Sequence, residues 1–286
     1  MRKFGWLIAL LLVLLLVGLL FPVPRPHISV PAEAVFHLGP IPITNTMLAS
    51  WVTVLVIIGL FYAGTSRMKL VPTGLQNAIE WAIETLLNFA ETTAGKENGR
   101  RFFPVIATIF FFVIFNAWLG LIPGFNTIGF GEAGEQMGLL SSVKAPLLRA
   151  ANTDINLPLA LAVMSFIFVE YWGVSSLGFF RYGSKFIRVR ELLRGKIFIG
   201  FIDLFVGALE ALSELVRLIS FTFRLFGNMF AGEVLLLVIV SLVPWVAVLP
   251  FYALEILVGF VQALVFAGLT LVFAMVAVAE HGNNHQ

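Results

Sequence analysis

Six ionisable side chains stand in the stretch 203–233, whose other residues are almost all apolar: Asp203, Glu210, Glu214, Arg217, Arg224 and Glu233. A charge at the centre of a bilayer costs at least ~2.5–3.5 kcal/mol on insertion scales, and ionisable groups at that depth usually serve transport. Their spacing is ordered. At the 3.6-residue period of a helix, Asp203, Glu210, Glu214, Arg217, Arg224 and Asn228 fall within a stripe about 80° wide, while Glu233 falls about 180° from Arg224. The last apolar stretch repeats the pattern sparsely. Glu255 and Gln262 are seven residues apart, hence on one helical face, with Gly259 between them. Two embedded carboxylates, an amide and an arginine point to a path for protons or ions.

Structural uses compete with this one. Arg217 has acids at i−7 and i−3, Glu210 and Glu214, and can serve as half of a local ion pair. Arg224 lies ten residues from Glu214, inside Phe221-Thr222-Phe223-Arg224-Leu225-Phe226, and has no local partner. Its charge therefore calls for an anion from elsewhere.

The elements that carry these groups must be membrane helices. The 286 residues are 59% hydrophobic and 12% charged, against about 25% charge in an average soluble domain. That balance excludes a soluble enzyme and a disordered chain. With no cysteine, thiol nucleophiles, disulfide frameworks, zinc knuckles and iron–sulfur clusters are excluded too. The net charge of +2 gives no reason to expect a nucleic-acid partner. The four histidines lie in loops or the tail, and no Walker motif, glycine-rich phosphate loop or nucleophile elbow occurs. No metal, cofactor or catalytic site of the chain's own is expected.

Apolar runs at 6–21, 47–64, 102–124 and 157–180 precede two long stretches, 197–243 and 234–279, interrupted by Pro244 and Pro250. The fold class predicted is all-α and polytopic, with about five core membrane helices plus the N-terminal hydrophobic segment. Each long stretch is expected to reach roughly 70 Å as a helix and so to tilt strongly. Residues 1–26 are read as an N-terminal anchor or a cleaved signal, 27–46 as an external segment, and 47–286 as a single membrane domain. Within that domain, 74–90 carries Leu75, Ile79, Ala82, Ile83, Leu86 and Leu87 at helical spacing. It is expected to lie as an amphipathic helix on the cytoplasmic surface. The pair 198–279 is the tilted pair.

Orientation follows the basic residues. With Arg2 and Lys3 inside, so are Arg67, Lys69, Lys96, Arg100 and Arg101, and Arg181, Lys185, Arg188, Arg190, Arg194 and Lys196. Only Arg25, Lys144 and Arg149 fall outside. The C-terminus is then cytoplasmic.

The run Arg224-Leu225-Phe226-Gly227-Asn228-Met229-Phe230-Ala231-Gly232-Glu233 closely resembles the signature of subunit a of the F-type ATP synthase, bacterial type. Pro72, Gly74, Gln76, Asn77 and Glu80 resemble its surface-helix motif. Asn116 with Gly120-Leu121-Ile122-Pro123-Gly124, and Thr153-Asp154-Ile155-Asn156, resemble its second and third span motifs. Gln262-Ala263, Phe266 and Leu269-Thr270 resemble its last-helix motif. The likeness covers roughly 35–281.

The resemblance implies a stator subunit packed against a ring of c subunits, with the b stalk and the rest of the synthase as further partners, in the inner membrane of a bacterium. Two offset half-channels would load and unload the carboxylates of the c-ring. Arg224 would be the stator arginine. Glu233, Glu255 and Gln262 match the outer half-channel, with Asn228 and Asp154 as lining; Glu210 and Ser220 match the cytoplasmic one. Some relatives pair an acid with a histidine at the places matching Glu233 and Glu255. Two glutamates there can share a proton and are expected to act as a linked pair. A self-contained proton- or sodium-coupled transporter is the competing reading, but such proteins often show internal repeats, and none is found. A purely structural anchor would not need Arg224 and Glu233 on opposite faces.

Overall fold

The computed structural model describes residues 30–122, 125, 129–130, 145–183, 197–242 and 248–279. The run 6–21, Arg25, Lys144, the basic residues from Lys185 to Lys196, Pro244 and the C-terminal tail lie outside the described residues.

The helices are α1 (Asn45–Thr65), α2 (Leu75–Ala94), α3 (Lys96–Gly120), α4 (Asn156–Leu177), the short α5 (Phe179–Gly183), α6 (Ile197–Leu242) and α7 (Leu249–Ala279). Among the described residues, five of them, α1, α3, α4, α6 and α7, are long and apolar enough to cross a membrane. The protein is a polytopic all-α membrane protein.

Local chemistry sets the boundaries. The Thr44 hydroxyl accepts a hydrogen bond from the Met47 amide at 3.3 Å and caps α1. Gly95, at φ +78°, is the single residue between α2 and α3. Its left-handed backbone allows the turn that an L side chain would resist. Pro250 is the second residue of α7, inside the first turn where its missing N–H is harmless.

The amphipathic helix expected over 74–90 is α2, which runs one turn further, to Ala94. Its buried face is Gln76, Ile79, Leu86 and Ala90. The 46-residue α6 is about 69 Å long, as its sequence implied. The second long helix is shorter than expected, because α6 continues through Glu233 to Leu242. The 31 residues left to α7 span about 46 Å. A hairpin was not expected either. Strands β1 (Ala34–Leu38) and β2 (Ile41–Thr44) pair antiparallel around Gly39 at φ +65°, where β-branched Val35, Ile41, Ile43 and Thr44 favour strand. A second two-residue pair joins β3 (Gly129–Phe130) to β4 (Ala145–Pro146).

The chain divides into two compact units. The first takes the described residues up to Tyr62, those of Phe111–Ile155, and those of Leu225–Ala263. Its core includes Asn45, Val113, Asn116, Ala151 and Asn152. The second takes Ala63–Phe110 and the described residues of Asn156–Arg224 and of Leu264–Gln286. There Phe102 packs on Trp172 with ring centroids 4.5 Å apart, and Tyr182 covers Gly173 where a β-carbon would stand. The passage of α6 from one unit to the other falls between Arg224 and Leu225.

Candidate functional site

Within the second unit, the polar stripe of α6 resolves into two kinds of group. Arg217 Nη1 lies 2.7 Å from Glu214 Oε2, and its guanidinium sits 4.0 Å from the centre of the Phe273 ring. Phe221 packs edge-on against Phe266 at 4.9 Å. Arg217 is thus the local ion pair that its i−3 acid allowed, turned inward and covered by an aromatic face. Glu210 is half-buried, and Ser220 and Arg224 are exposed. Arg224 has the Phe221 ring 5.8 Å away and, among the described residues, makes no ion pair. Exposed beside it on α6 are Ser220, one turn back, and Phe223.

Asn228, Glu233, Glu255, Gln262 and Asp154 belong to the first unit. Asn228 is exposed, Gln262 half-buried, Glu233 mostly buried, and Glu255 and Asp154 buried. Helix α7 is held at this level by α3. Trp118 Nε1 donates to the Ile256 carbonyl at 3.1 Å, and Gly259 gives room to Ala117 where a larger residue would collide. These contacts set Glu255, whose carboxylate lies against Gly232 of α6, one residue before Glu233. The AGE motif therefore uses its glycine to admit a side chain from the neighbouring helix.

Glu233 points to a cation that the sequence reading did not assign. Arg149 Nε donates to Oε1 and Oε2 of Glu233, both at 3.1 Å, and Nη2 donates to Oε2 at 2.8 Å. The two side chains are 7% and 11% exposed. The only signal available beforehand was that Arg149 is one of three basic residues that the charge rule would leave outside.

Asp154 anchors the segment that carries Arg149. Its Oδ2 accepts from the Thr46 hydroxyl at 3.0 Å, in a buried contact with the start of α1. The structure therefore sorts the predicted residues by unit. Glu210, Ser220 and Arg224 fall in one; Asn228, Glu233, Glu255, Gln262 and Asp154 fall in the other. Among the described residues no cluster of three or more acids and histidines has the arrangement of a metal site.

The family model described as ATP synthase A chain matches residues 47–275. ATP synthase subunit a of Campylobacter concisus (strain 13826) is 33% identical over 230 residues, covering 79% of this chain and 87% of that protein. Its namesake from Gloeobacter violaceus (strain ATCC 29082 / PCC 7421) is 31% identical over 259 residues, covering 90% and 94%. That of Campylobacter curvus (strain 525.92) is 34% identical over 220 residues, covering 76% and 84%. A match of this extent, carried by a chain whose described residues form five long apolar helices with the arginine and acids described above, makes the protein a member of the ATP synthase A chain family.

Proposed function

We propose that the chain is the proton-translocating stator of a rotary ATP synthase, set in a bacterial inner membrane with its C-terminus in the cytoplasm. Membership in the family supports a place in the membrane sector and a part in proton passage. The partners in this reading are a c-ring, the b stalk and surrounding lipid. Two half-channels serve the ring: an outer one lined by Asn228, Glu233, Glu255, Gln262 and Asp154, and a cytoplasmic one near Glu210 and Ser220. The separation of these two sets of residues into different compact units supports two paths rather than one.

The observation that carries the reading is Arg224. An exposed guanidinium on a largely apolar helix of membrane-spanning length, with no ion pair among the described residues, is unfavourable in a membrane unless an outside anion meets it. A deprotonated ring carboxylate is such an anion. Attraction to Arg224 favours its charged form there, and the fixed positive charge repels a proton moving directly from one path to the other.

The test is Arg224→Ala in the whole synthase, reconstituted into vesicles. Assembly should persist while ΔpH-driven ATP synthesis disappears. Coupled synthesis at the normal rate by the assembled variant would refute the assignment.

A further inference from the structure

The stretch from Ala145 to Ile155 is bound down on both sides of Arg149 by buried polar groups. Before it, Asn45 Nδ2 donates to the Pro146 carbonyl at 3.2 Å. After it, Asn116 Oδ1 accepts from the amides of Ala151 and Asn152 at 3.0 and 3.3 Å. Asn152 Nδ2 donates to the Val113 carbonyl, and Thr46 donates to Asp154. Gly120 lets Ala150 approach α3 where a β-carbon would not fit. The frame delivers one cation, Arg149, onto α6, beside Phe230 at 5.9 Å and onto Glu233.

A buried ion pair of this kind adds little to stability by itself, since apolar residues of similar volume often serve as well. What it does supply is one orientation. The guanidinium contacts engage both oxygens of Glu233, so a proton arriving there must displace a charge-assisted bond. Glu255 differs. Among the described residues no group donates to or pairs with its carboxylate, which rests against the bare Cα of Gly232. A proton can join or leave it without breaking a contact within the chain.

We propose that Arg149 is a positioning residue of the outer proton path, holding Glu233 as a fixed counter-charge so that the proton in transit is carried by Glu255. This rests on the assignment of Glu233 and Glu255 to that path. It replaces two equivalent carboxylates sharing a proton with a division of labour between them. Glu233, one residue along α6 from the glycine that Glu255 touches, contributes a stationary negative charge. Glu255 contributes the exchangeable site.

The experiment measures ΔpH-driven ATP synthesis per assembled complex in vesicles holding the whole synthase, for R149Q, R149K, E233Q and R149Q/E233Q. R149Q should lose up to about a hundredfold, the scale that misplacing a transfer group by about an ångström can cost. R149K should fall between R149Q and the parent, because it restores the charge without the two-pronged grip. The double variant should be no slower than the slower single one, since Arg149 then has no carboxylate to hold. If E233Q runs at the parental rate, the assignment of Glu233 to the path fails, whatever Arg149 does. If E233Q is slow while R149Q and R149K match the parent, or if the single losses multiply in the double variant, Arg149 does not act through Glu233 and the inference is wrong. Should R149Q not assemble, R149K decides alone: normal assembly with a reduced rate supports the inference, and a parental rate overturns it.

Discussion

The carboxylate of Glu255 occupies the space that a side chain at Gly232 would fill. Two helices, α6 and α7, meet there with one contributing an acid and the other the absence of a β-carbon. Gly232→Ala should therefore displace Glu255 while leaving α6 helical, since alanine favours helix over glycine. ATP synthesis driven by ΔpH should fall by up to about a hundredfold in complexes that still assemble. Adding Glu255→Asp, which retracts the carboxylate by one methylene, should recover part of the loss. A parental rate for Gly232→Ala would show that the close approach has no bearing on transport.

Two arginines seven residues apart on α6 should respond in opposite ways. Arg217 sits between Glu214 and the Phe273 ring, so Arg217→Leu removes the cation beside a buried carboxylate. A cost on the order of 1–3 kcal/mol is expected, visible as a lower temperature for thermal dissociation of the purified complex. Arg224→Ala should leave that temperature unchanged and remove coupled synthesis. Equal thermal losses in the two variants would contradict the division into a structural and a functional arginine.

A buried polar contact joins helices α4 and α7, Ser165 to Thr270 at 2.8 Å, and Thr270 also bonds the Phe266 carbonyl at 2.9 Å. Thr270 donates to that carbonyl, so Ser165 donates to Thr270. Thr270→Val strands the serine hydroxyl and should cost on the order of 1–3 kcal/mol. Ser165→Ala should cost less, because Thr270 keeps its backbone acceptor. The double variant should be less destabilised than the sum of the two singles. Thermal unfolding in detergent checks the order, and equal costs for the two single changes would refute the assigned donor direction.

Asn116 accepts two backbone amides with one oxygen, and Asn116→Leu leaves both unbonded. Hydrogen exchange at Ala151 and Asn152 should quicken by about tenfold or more, the equivalent of one lost hydrogen bond. Unchanged exchange would mean that the segment carrying Arg149 is held by its other anchors.

Much of the protein was legible from residue order alone. Apolar runs of bilayer length and a 3.6-residue period are local properties, and they predicted the five long apolar helices and the amphipathic helix α2. Arg217 could be matched to Glu214 for the same reason, since i and i+3 meet on any helix. Arg224 stood out because no residue within a turn or two could neutralise it.

Only the tertiary structure joined residues far apart in the chain. Arg149 and Glu233 are 84 positions apart, and periodicity is silent about such pairs. By sequence Arg149 was one of three basic residues set outside by the charge rule; the folding of 145–155 against α3 brings it to α6. In the same way, nothing local distinguishes Gly232 from a helix-packing glycine, or says that α7 presents Glu255 to it. The hairpin at Gly39 was hidden because four or five residues of β-branched sequence are too short to outweigh the apolar pattern around them. Helical periodicity assigns a side chain to a face. What that face meets is decided by contacts between distant segments.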